Sequence, residues 1–302
     1  MKNPQPLKVL ARHGKSFYWA SFFLGSILAN RAARLYEFCR FVDDIADGDL
    51  PNRQETLKDI KASLISNVDT NSVTAIPELV SFLDLAQHNN IPLNAAKELL
   101  DGMLQDQQKT EVKTEAELLR YCHAVAGTVG LMMCRILNCK QERADSFAID
   151  LGIAMQLTNI SRDVLEDAQM GRRYLPASWF EQKITIEDIA QQSLHCKQPV
   201  SDAITRLLTL SEQYYASALL GIRLLPFRSR FAIAIALRVY RQIGWVVRRN
   251  KFAWWKGRVM VGKTEKIILS FRSLTELLPK TVPNHNANLH KPLLGLSGVH
   301  CH

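Results

Sequence analysis

The chain has 302 residues, 47% of them hydrophobic and 22% charged, so a sizeable apolar interior can form without disulfide or metal staples. Thirty-eight Lys and Arg against 29 Asp and Glu leave a formal charge of +9, and this balance excludes disordered, collagen-like and disulfide-scaffold chains. Fourteen Gly and eleven Pro are few for the length and favour long helices over a turn-rich β fold.

Apolar residues recur at three- and four-residue spacing and predict helices over 16–28, 30–47, 52–65, 76–88, 93–107, 115–137, 142–167, 201–222, 228–250 and 263–278. Breakers separate them at Leu50-Pro51-Asn52, from Asn67 to Asn71, at Ile91-Pro92, at Gly171 and at Leu225-Pro226. Phe231 to Leu237 alternates as a strand would, but its alanines and flanking arginines favour helix. The sequence has no βαβ pattern, glycine-rich phosphate loop or fixed-period repeat. From 279 to 302 it is rich in Asn, His, Pro and Gly, the composition of a loose tail. The expectation is one all-α domain over 1–278 and a disordered C-terminal tail over 279–302.

Cys39, Cys122, Cys134, Cys139, Cys196 and Cys301 form no CxxC pair and read as reduced thiols of a cytoplasmic protein. No apolar run of about 18 residues offers a bilayer span, and the early lysines are not followed by a signal-peptide pattern. Between Ile222 and Arg272, thirteen Lys or Arg face a single acid, Glu265. Such a stretch suits anionic lipid, a phosphorylated ligand or nucleic acid, and equally a solvated basic face.

Two acidic clusters sit inside helical patterns, where folding has no need of carboxylates. Asp43-Asp44-Ile45-Ala46-Asp47 closes the apolar segment from Leu35 to Val42, and Asp163-Val164-Leu165-Glu166-Asp167 closes the one from Leu151 to Ile160. In each, two aspartates four apart share a helix face, about 6 Å apart along the axis. Like charges at that spacing repel unless a cation sits between them. The natural filler is a hard cation such as Mg²⁺, held by a few carboxylates with water and phosphate oxygens completing its shell. Gln156 and Asn159 extend the second polar stripe backwards at helical spacing. One acidic pair is ordinarily a solvated turn; two, each backed by a hydrophobic helix, favour metal.

Four blocks stand in order along the chain: His13-Gly14-Lys15-Ser16-Phe17-Tyr18; Tyr36 to Asp47; Tyr121 to Gly130; and Gln156 to Asp167 with the trailing Gly171-Arg172-Arg173-Tyr174-Leu175-Pro176. In this order and spacing they resemble the squalene/phytoene synthase family of head-to-head prenyl transferases, from about residue 10 to 275. Pro176 to Phe180 and Val239 to Gly244 look most like the bacterial phytoene synthases of that family. The resemblance implies a single-domain, all-α bundle of the isoprenoid synthase type with a central cavity. It also implies that two allylic diphosphates are joined through a cyclopropylcarbinyl diphosphate.

By the same resemblance, Asp43, Asp47, Asp163 and Asp167 hold Mg²⁺ (or Mn²⁺), Asn159 completes the cage and Gln156 lines it. Arg40 and Arg162 match positions near the diphosphate, a role that suits forked guanidinium donors; read alone, they are salt bridges to the adjacent aspartates. Lys15 and Ser16 match positions that close over the diphosphate; read alone, they start a helix with Ser16 as its cap. Tyr36 and Tyr121 match cavity tyrosines, Tyr121 being the one tied to the rearrangement. A phenol can stabilise a cation with its face and donate from its hydroxyl, although a lone Tyr on an apolar helix is more often half-buried core. Val125, Ala126 and Gly130 suit a wall against a prenyl chain, and close helix packing explains them equally well. His123 and Ala124 replace bulkier residues of some relatives, and Phe252 falls near a family Tyr. The segment Asp101 to Asp106 resembles a family segment and is read as structural.

The leading reading is a phytoene synthase that takes two geranylgeranyl diphosphates and needs no NADPH. The alternative is a squalene or dehydrosqualene synthase using farnesyl diphosphate, squalene formation needing NADPH. A reading from another class is a non-catalytic basic helical protein that binds membrane or nucleic acid. The paired aspartates oppose nucleic acid, since they repel phosphate unless metal intervenes. Greasy substrates make peripheral contact with the inner face of the cell membrane an expectation, with Phe252 to Val261 as its surface because Trp254, Trp255 and basic residues suit an interface. Core packing of the two Trp accounts for that segment just as well. The oligomeric state is not legible.

Overall fold

Leu35, Phe38, Val42 and Ile45 recur at helical spacing along one segment and are all buried, and that stripe folds Ser26–Asp47 onto its neighbours as a helix. The computed structural model describes residues 5–48, 51–64, 76–107, 110–139, 141–278 and 281–299. Within them the same logic yields α1 (Gln5–His13), α2 (Lys15–Ser21), α3 (Ser26–Asp47), α4 (Arg53–Ser63), α5 (Pro77–Asn89), α6 (Leu93–Gln105), α7 (Glu115–Cys122), α8 (Thr128–Ile136), α9 (Ala144–Gln169), α10 (Ile186–Ala190), α11 (Lys197–Gly221), α12 (Phe227–Arg249) and α13 (Lys263–Arg272). Asn90 ends α5 in the left-handed region at φ 51°, and Pro226 immediately precedes α12. Phe231 to Leu237 is helical, as its alanines predict. The predicted breaker from Asn67 to Asn71 lies outside the described residues.

Helix α9 is the axis of the bundle. Ile149, Ile153, Ala154, Leu157, Ile160 and Val164 bury nearly all its faces, and α8, α10, α11 and α12 pack around it. On the other side Phe38 of α3 stacks on Phe82 of α5 with ring centroids 3.9 Å apart. Each such ring, fully buried, stabilises the fold by roughly 1.5–3 kcal/mol. A Cβ on Gly130 would fall 2.2 Å from the Ala148 carbonyl oxygen, and one on Gly152 would fall 2.2 Å from that of Ala126. The two segments therefore meet backbone to backbone, and only glycine permits it.

Two irregularities interrupt the helices that carry the third and fourth motif blocks. The predicted single helix over 115–137 is broken by a π-helical turn, His123–Gly127, between α7 and α8. Within α9, Asp163 leaves helical geometry at φ −107° and ψ 16°, kinking the helix inside the second acidic cluster. A two-residue parallel bridge, β1 (Thr110–Glu111) with β2 (Arg172–Arg173), then ties the loop after α9 to the end of α6.

Three expectations are corrected. The predicted helix over 16–28 stops at Ser21, a turn follows, and α3 starts anew after Gly25 at φ 79°. Ser16 caps nothing; Gly14 holds the N-cap position of α2 and Ser16 lies inside the helix. The expected loose tail is a packed strap over 281–299, while 279, 280 and 300–302, including Cys301, lie outside the described residues.

Leu289 and Leu296 of that strap pack on the core, Leu293 is fully buried, and Ala287–Leu293 coil into a 3₁₀ turn. His285 and His290 each place Nε2 2.8 Å from one oxygen of the buried Asp150 carboxylate, to which Ser217 also donates at 2.5 Å. Burial alone would raise the Asp150 carboxyl, but the hydrogen bonds from His285 and His290 hold it below the usual range. Further along, Tyr214 donates to the Leu289 carbonyl at 2.9 Å and Arg120 to that of Pro292 at 3.0 Å. His123, at a family departure, is buried with Nε2 3.0 Å from the Ser297 carbonyl.

The remaining cysteines are free thiols, all buried except the half-buried Cys39. No helix among the described residues is long and apolar enough to cross a membrane. Trp254 is buried and its Nε1–H donates to the Lys197 carbonyl, while Trp255 is half-buried edge-on against it. Core packing is therefore what these two Trp do, and they do not form the exposed surface expected of them.

Candidate active site

Helices α3 and α9 carry the two acidic clusters on their C-terminal turns, and the bundle sets these turns across one cavity of about 760 Å³. Asp43 and Asp47 line it from α3; Asp163 and Asp167 line it from α9, with Gln156, Asn159 and Arg162 on the same helix. Lys15 and Ser16 border it from α2, Tyr36 and Arg40 from α3, Tyr121 from α7, and Val125 from the π turn. Leu99, Met103, Ile160 and Ile243 give the same cavity an apolar part. A cavity with both polar and apolar lining suits an amphipathic ligand, and its volume is within the usual range of about 300–1,000 Å³.

Ala126 and Gly130, expected on the same wall, are not among its lining residues. Gly130 abuts the Ala148 carbonyl, so helix packing is what selects glycine there, and the carbonyl of Ala126 likewise selects Gly152 opposite it.

The carboxylates crowd one another. Burial, and then the neighbouring Asp47, push Asp43 up to about 6 against the pull of Arg40. Burial and Asp163 lift Asp167 well above the carboxylate range. Arginines offset part of this charge. Arg40 donates to Asp43 at 2.9 Å and pairs with Asp44 as well. Arg162 forks onto Asp163, its Nε 2.7 Å from Oδ1, and Arg258 approaches the same oxygen at 3.1 Å. The salt bridges that Arg40 and Arg162 suggest when read alone are thus present, and apart from the exposed Asp44 their members line the cavity.

The donor set fits a hard divalent cation. It consists of carboxylate and amide oxygens, and the Asn159 Oδ1 atom is buried with no hydrogen-bond partner while its Nδ2 donates to Gln156. An unpartnered amide oxygen beside carboxylates that repel one another has its acceptor capacity free for a cation.

Several cavity residues escaped the sequence reading. Tyr121 donates to Asp106 Oδ2 at 2.6 Å, and Tyr174 stacks on the Tyr121 ring at 4.6 Å. Arg172 donates to Asp47 at 2.7 Å and to the Asp106 backbone carbonyl at 3.2 Å. Burial raises the Asp106 carboxyl and lifts the Tyr121 hydroxyl far above its usual value, so the phenol stays protonated. Tyr240 faces Phe17 at 5.0 Å, and burial pushes Tyr36 up to about 12. Arg172 and Tyr174 stood inside a motif block, and their position after Gly171 was the available signal. Asp106 stood in a segment that resembles the family but reads as structural, and Tyr240 stood in the Val239 to Gly244 stretch, which carries only the resemblance.

The family model described as squalene/phytoene synthase matches residues 10–265. The chain belongs to the squalene/phytoene synthase family. It is 34% identical to a 15-cis-phytoene synthase of Enterobacter agglomerans over 90% of this chain and 94% of that protein. It is 33% identical to a 15-cis-phytoene synthase of Pantoea ananas over 94% of this chain and 96% of that protein. Among solved structures it is similar to a dehydrosqualene synthase in complex with a ligand, with a TM-score of 0.74 and 26% identity over 90% and 95% of the two chains. A squalene synthase from Alicyclobacillus acidocaldarius shares the fold at a TM-score of 0.70 and 22% identity, over 82% and 95%. As a member of the squalene/phytoene synthase family the protein is a prenyl transferase of the head-to-head condensing type, and the all-α bundle is the fold of that family.

Proposed function

We propose that this prenyl transferase is a phytoene synthase, joining two geranylgeranyl diphosphates through prephytoene diphosphate to phytoene in carotenoid synthesis, with Mg²⁺ or Mn²⁺ and without NADPH. One observation carries the reading: the two acidic clusters and their arginines line a single cavity that they share with Leu99, Met103, Val125, Ile160 and Ile243. The phytoene synthases of Enterobacter agglomerans and Pantoea ananas, similar over nearly their whole length, favour the C20 substrate. The likeness to a dehydrosqualene synthase keeps a C15 substrate as the second reading.

Asp43, Asp47, Asp163, Asp167 and Asn159 would hold the metal, and Gln156 would line the cage. The bound cation would supply charge neutralisation for departing diphosphate. Every other task falls to side chains. Arg40, Arg162, Arg172 and Arg258 offer forked donors to phosphate oxygens once they exchange their aspartate partners. Lys15 and Ser16 close the rim from α2. Tyr36 and Tyr121 line the cavity in which an allylic cation would form, where aromatic rings can stabilise positive charge and raised phenols are too weak as acids to quench it. The apolar wall excludes water, which would otherwise capture that cation as an alcohol.

The experiment is product analysis by mass spectrometry with Mg²⁺ and either geranylgeranyl or farnesyl diphosphate, each with and without NADPH. A C40 hydrocarbon from the C20 substrate, indifferent to NADPH, is expected. A C30 product formed only from farnesyl diphosphate would replace the reading by the second one.

A further inference from the structure

Helix α13 is built inside out. Leu269, Ser270 and Ser273 face the bundle and are buried, whereas Ile267, Ile268 and Phe271 point to solvent at 45%, 48% and 69% exposure. The spacing continues through the 3₁₀ turn Ser273–Leu277, where Leu274 and then Leu278 are also exposed. Ile267, Phe271, Leu274 and Leu278 form one outward stripe at helical spacing, on the side where a surface helix ordinarily places polar residues. Ser270 accepts a hydrogen bond from Trp19 at 3.0 Å, which sets α2 beside α13, and Phe22, 63% exposed, packs edge-on to that Trp. The apolar face therefore spans two elements.

Its charge has one sign. Lys263 and Arg272 are exposed at the two ends of α13, and among the described residues no carboxylate pairs with either. The acids nearby are turned to other duties: Glu265 binds Arg249 at 2.6 Å, and the buried Glu276 accepts from Arg223 and Arg238. Lys266, Met260 and Val261, on and just before α13, line the rim of the central cavity. An exposed apolar stripe bracketed by unpaired cations suits the boundary between anionic headgroups and acyl chains, and suits little else in water.

We propose that the outward face of α13, with Phe22, docks this protein on an anionic lipid bilayer and holds the cavity rim against the acyl region. The prenyl-diphosphate reading enters only in explaining why the rim faces lipid, since a long apolar tail could then pass between bilayer and cavity without crossing water. The docking segment is 263–278 rather than the Trp pair at 254–255.

Co-sedimentation with phosphatidylglycerol-containing vesicles, and with pure phosphatidylcholine vesicles, tests this directly. Wild-type protein is expected to bind the anionic vesicles and to release as salt rises. The double variant I267E/F271E, and the milder I267S/F271S, are expected to bind at least roughly tenfold more weakly. K263E/R272E is expected to bind more weakly with a flatter salt dependence. All these side chains are solvent-exposed, so circular dichroism should be unchanged, as should turnover of detergent-dispersed substrate. Absence of wild-type binding, or equal binding by I267E/F271E, overturns the proposal. So does a lipid-free dimer that I267E/F271E converts to monomer, because the face would then belong to a second copy. Vesicle binding without any turnover would leave the docking face standing and remove only the catalytic reading.

Discussion

Replacing Tyr121 by Phe removes one hydroxyl and very little volume, and the structure says what that hydroxyl holds. It donates at 2.6 Å to Asp106 Oδ2, while Asp106 Oδ1 has no partner and the residue is 7% exposed. Tyr121→Phe therefore removes one of the two tyrosine hydroxyls that serve this buried carboxylate, Tyr174 being the other, at a cost of about 1–3 kcal/mol. Because Tyr174 still serves the carboxylate, the lower half of that range is expected, a fall in Tm of roughly 2–4 °C. Asp106→Asn is expected to behave oppositely. It removes the charge that burial disfavours and keeps an acceptor for the phenol, so its stability should equal or exceed wild type. Both substitutions should lower turnover by about 10²-fold with little change in KM, the first by removing a donor and the second by loosening the Tyr121 ring. Thermal and urea unfolding, run beside steady-state turnover on both variants, give the comparison. If Tyr121→Phe is as stable as wild type, or Asp106→Asn is the less stable of the two, the view of Asp106 as a strained buried acceptor is wrong. Wild-type turnover in Tyr121→Phe would dismiss the hydroxyl from the reaction.

Asp43→Asn is expected to cut turnover by about 10³-fold without lowering Tm, since it relieves crowding with Asp47, and EDTA should abolish wild-type activity until Mg²⁺ is restored. Gly130→Ala should lose about 1–3 kcal/mol or more, read as Tm, because its Cβ would meet a backbone carbonyl; a variant of normal stability but altered product would return Gly130 to the ligand wall. Asp150→Asn cannot accept from His285, His290 and Ser217 together, so hydrogen exchange over 285–299 should accelerate. The lowered Asp150 carboxyl, among His285, His290, Ser217 and Tyr214, also sets a pH dependence: its contribution is complete above the ordinary Asp value of about 3.9 and is lost as pH falls through the lower folded value. Wild-type and Asp150→Asn Tm curves should therefore converge only in strong acid.

The apolar stripes and breakers made most helices readable, and the repelling aspartate pairs marked two walls of the cavity from sequence alone. What stayed hidden has physical causes. Asp106, Arg172 and Tyr174 gain meaning only from the two-residue β1–β2 bridge, a pairing too short to leave a pattern in sequence. The strap was misjudged because Asn, His and Pro dominate its composition, while Leu289, Leu293 and Leu296, spaced four and three apart, carry its anchorage. A small residue at 130 fits a ligand wall and a helix contact alike, and only the Ala148 carbonyl opposite Gly130 decides between them. The exposed face of α13 looks like an ordinary amphipathic helix, since periodicity reports a stripe but not the direction in which it points.

The π turn at His123–Gly127 makes chain length here a constraint of its own. One residue beyond the α-helical repeat rotates everything downstream by about 100°. That rotation lets α7 aim Tyr121 and the turn aim Val125 into the cavity, while α8 aims Leu131, Met132 and Ile136 into the core and lays Gly130 on Ala148. Deleting any one residue from 124 to 126 would relax the turn to a smooth helix and leave no phase that serves both halves. Either the tyrosine would leave the cavity or the glycine would leave its carbonyl. In this segment the number of residues is fixed as firmly as any one side chain.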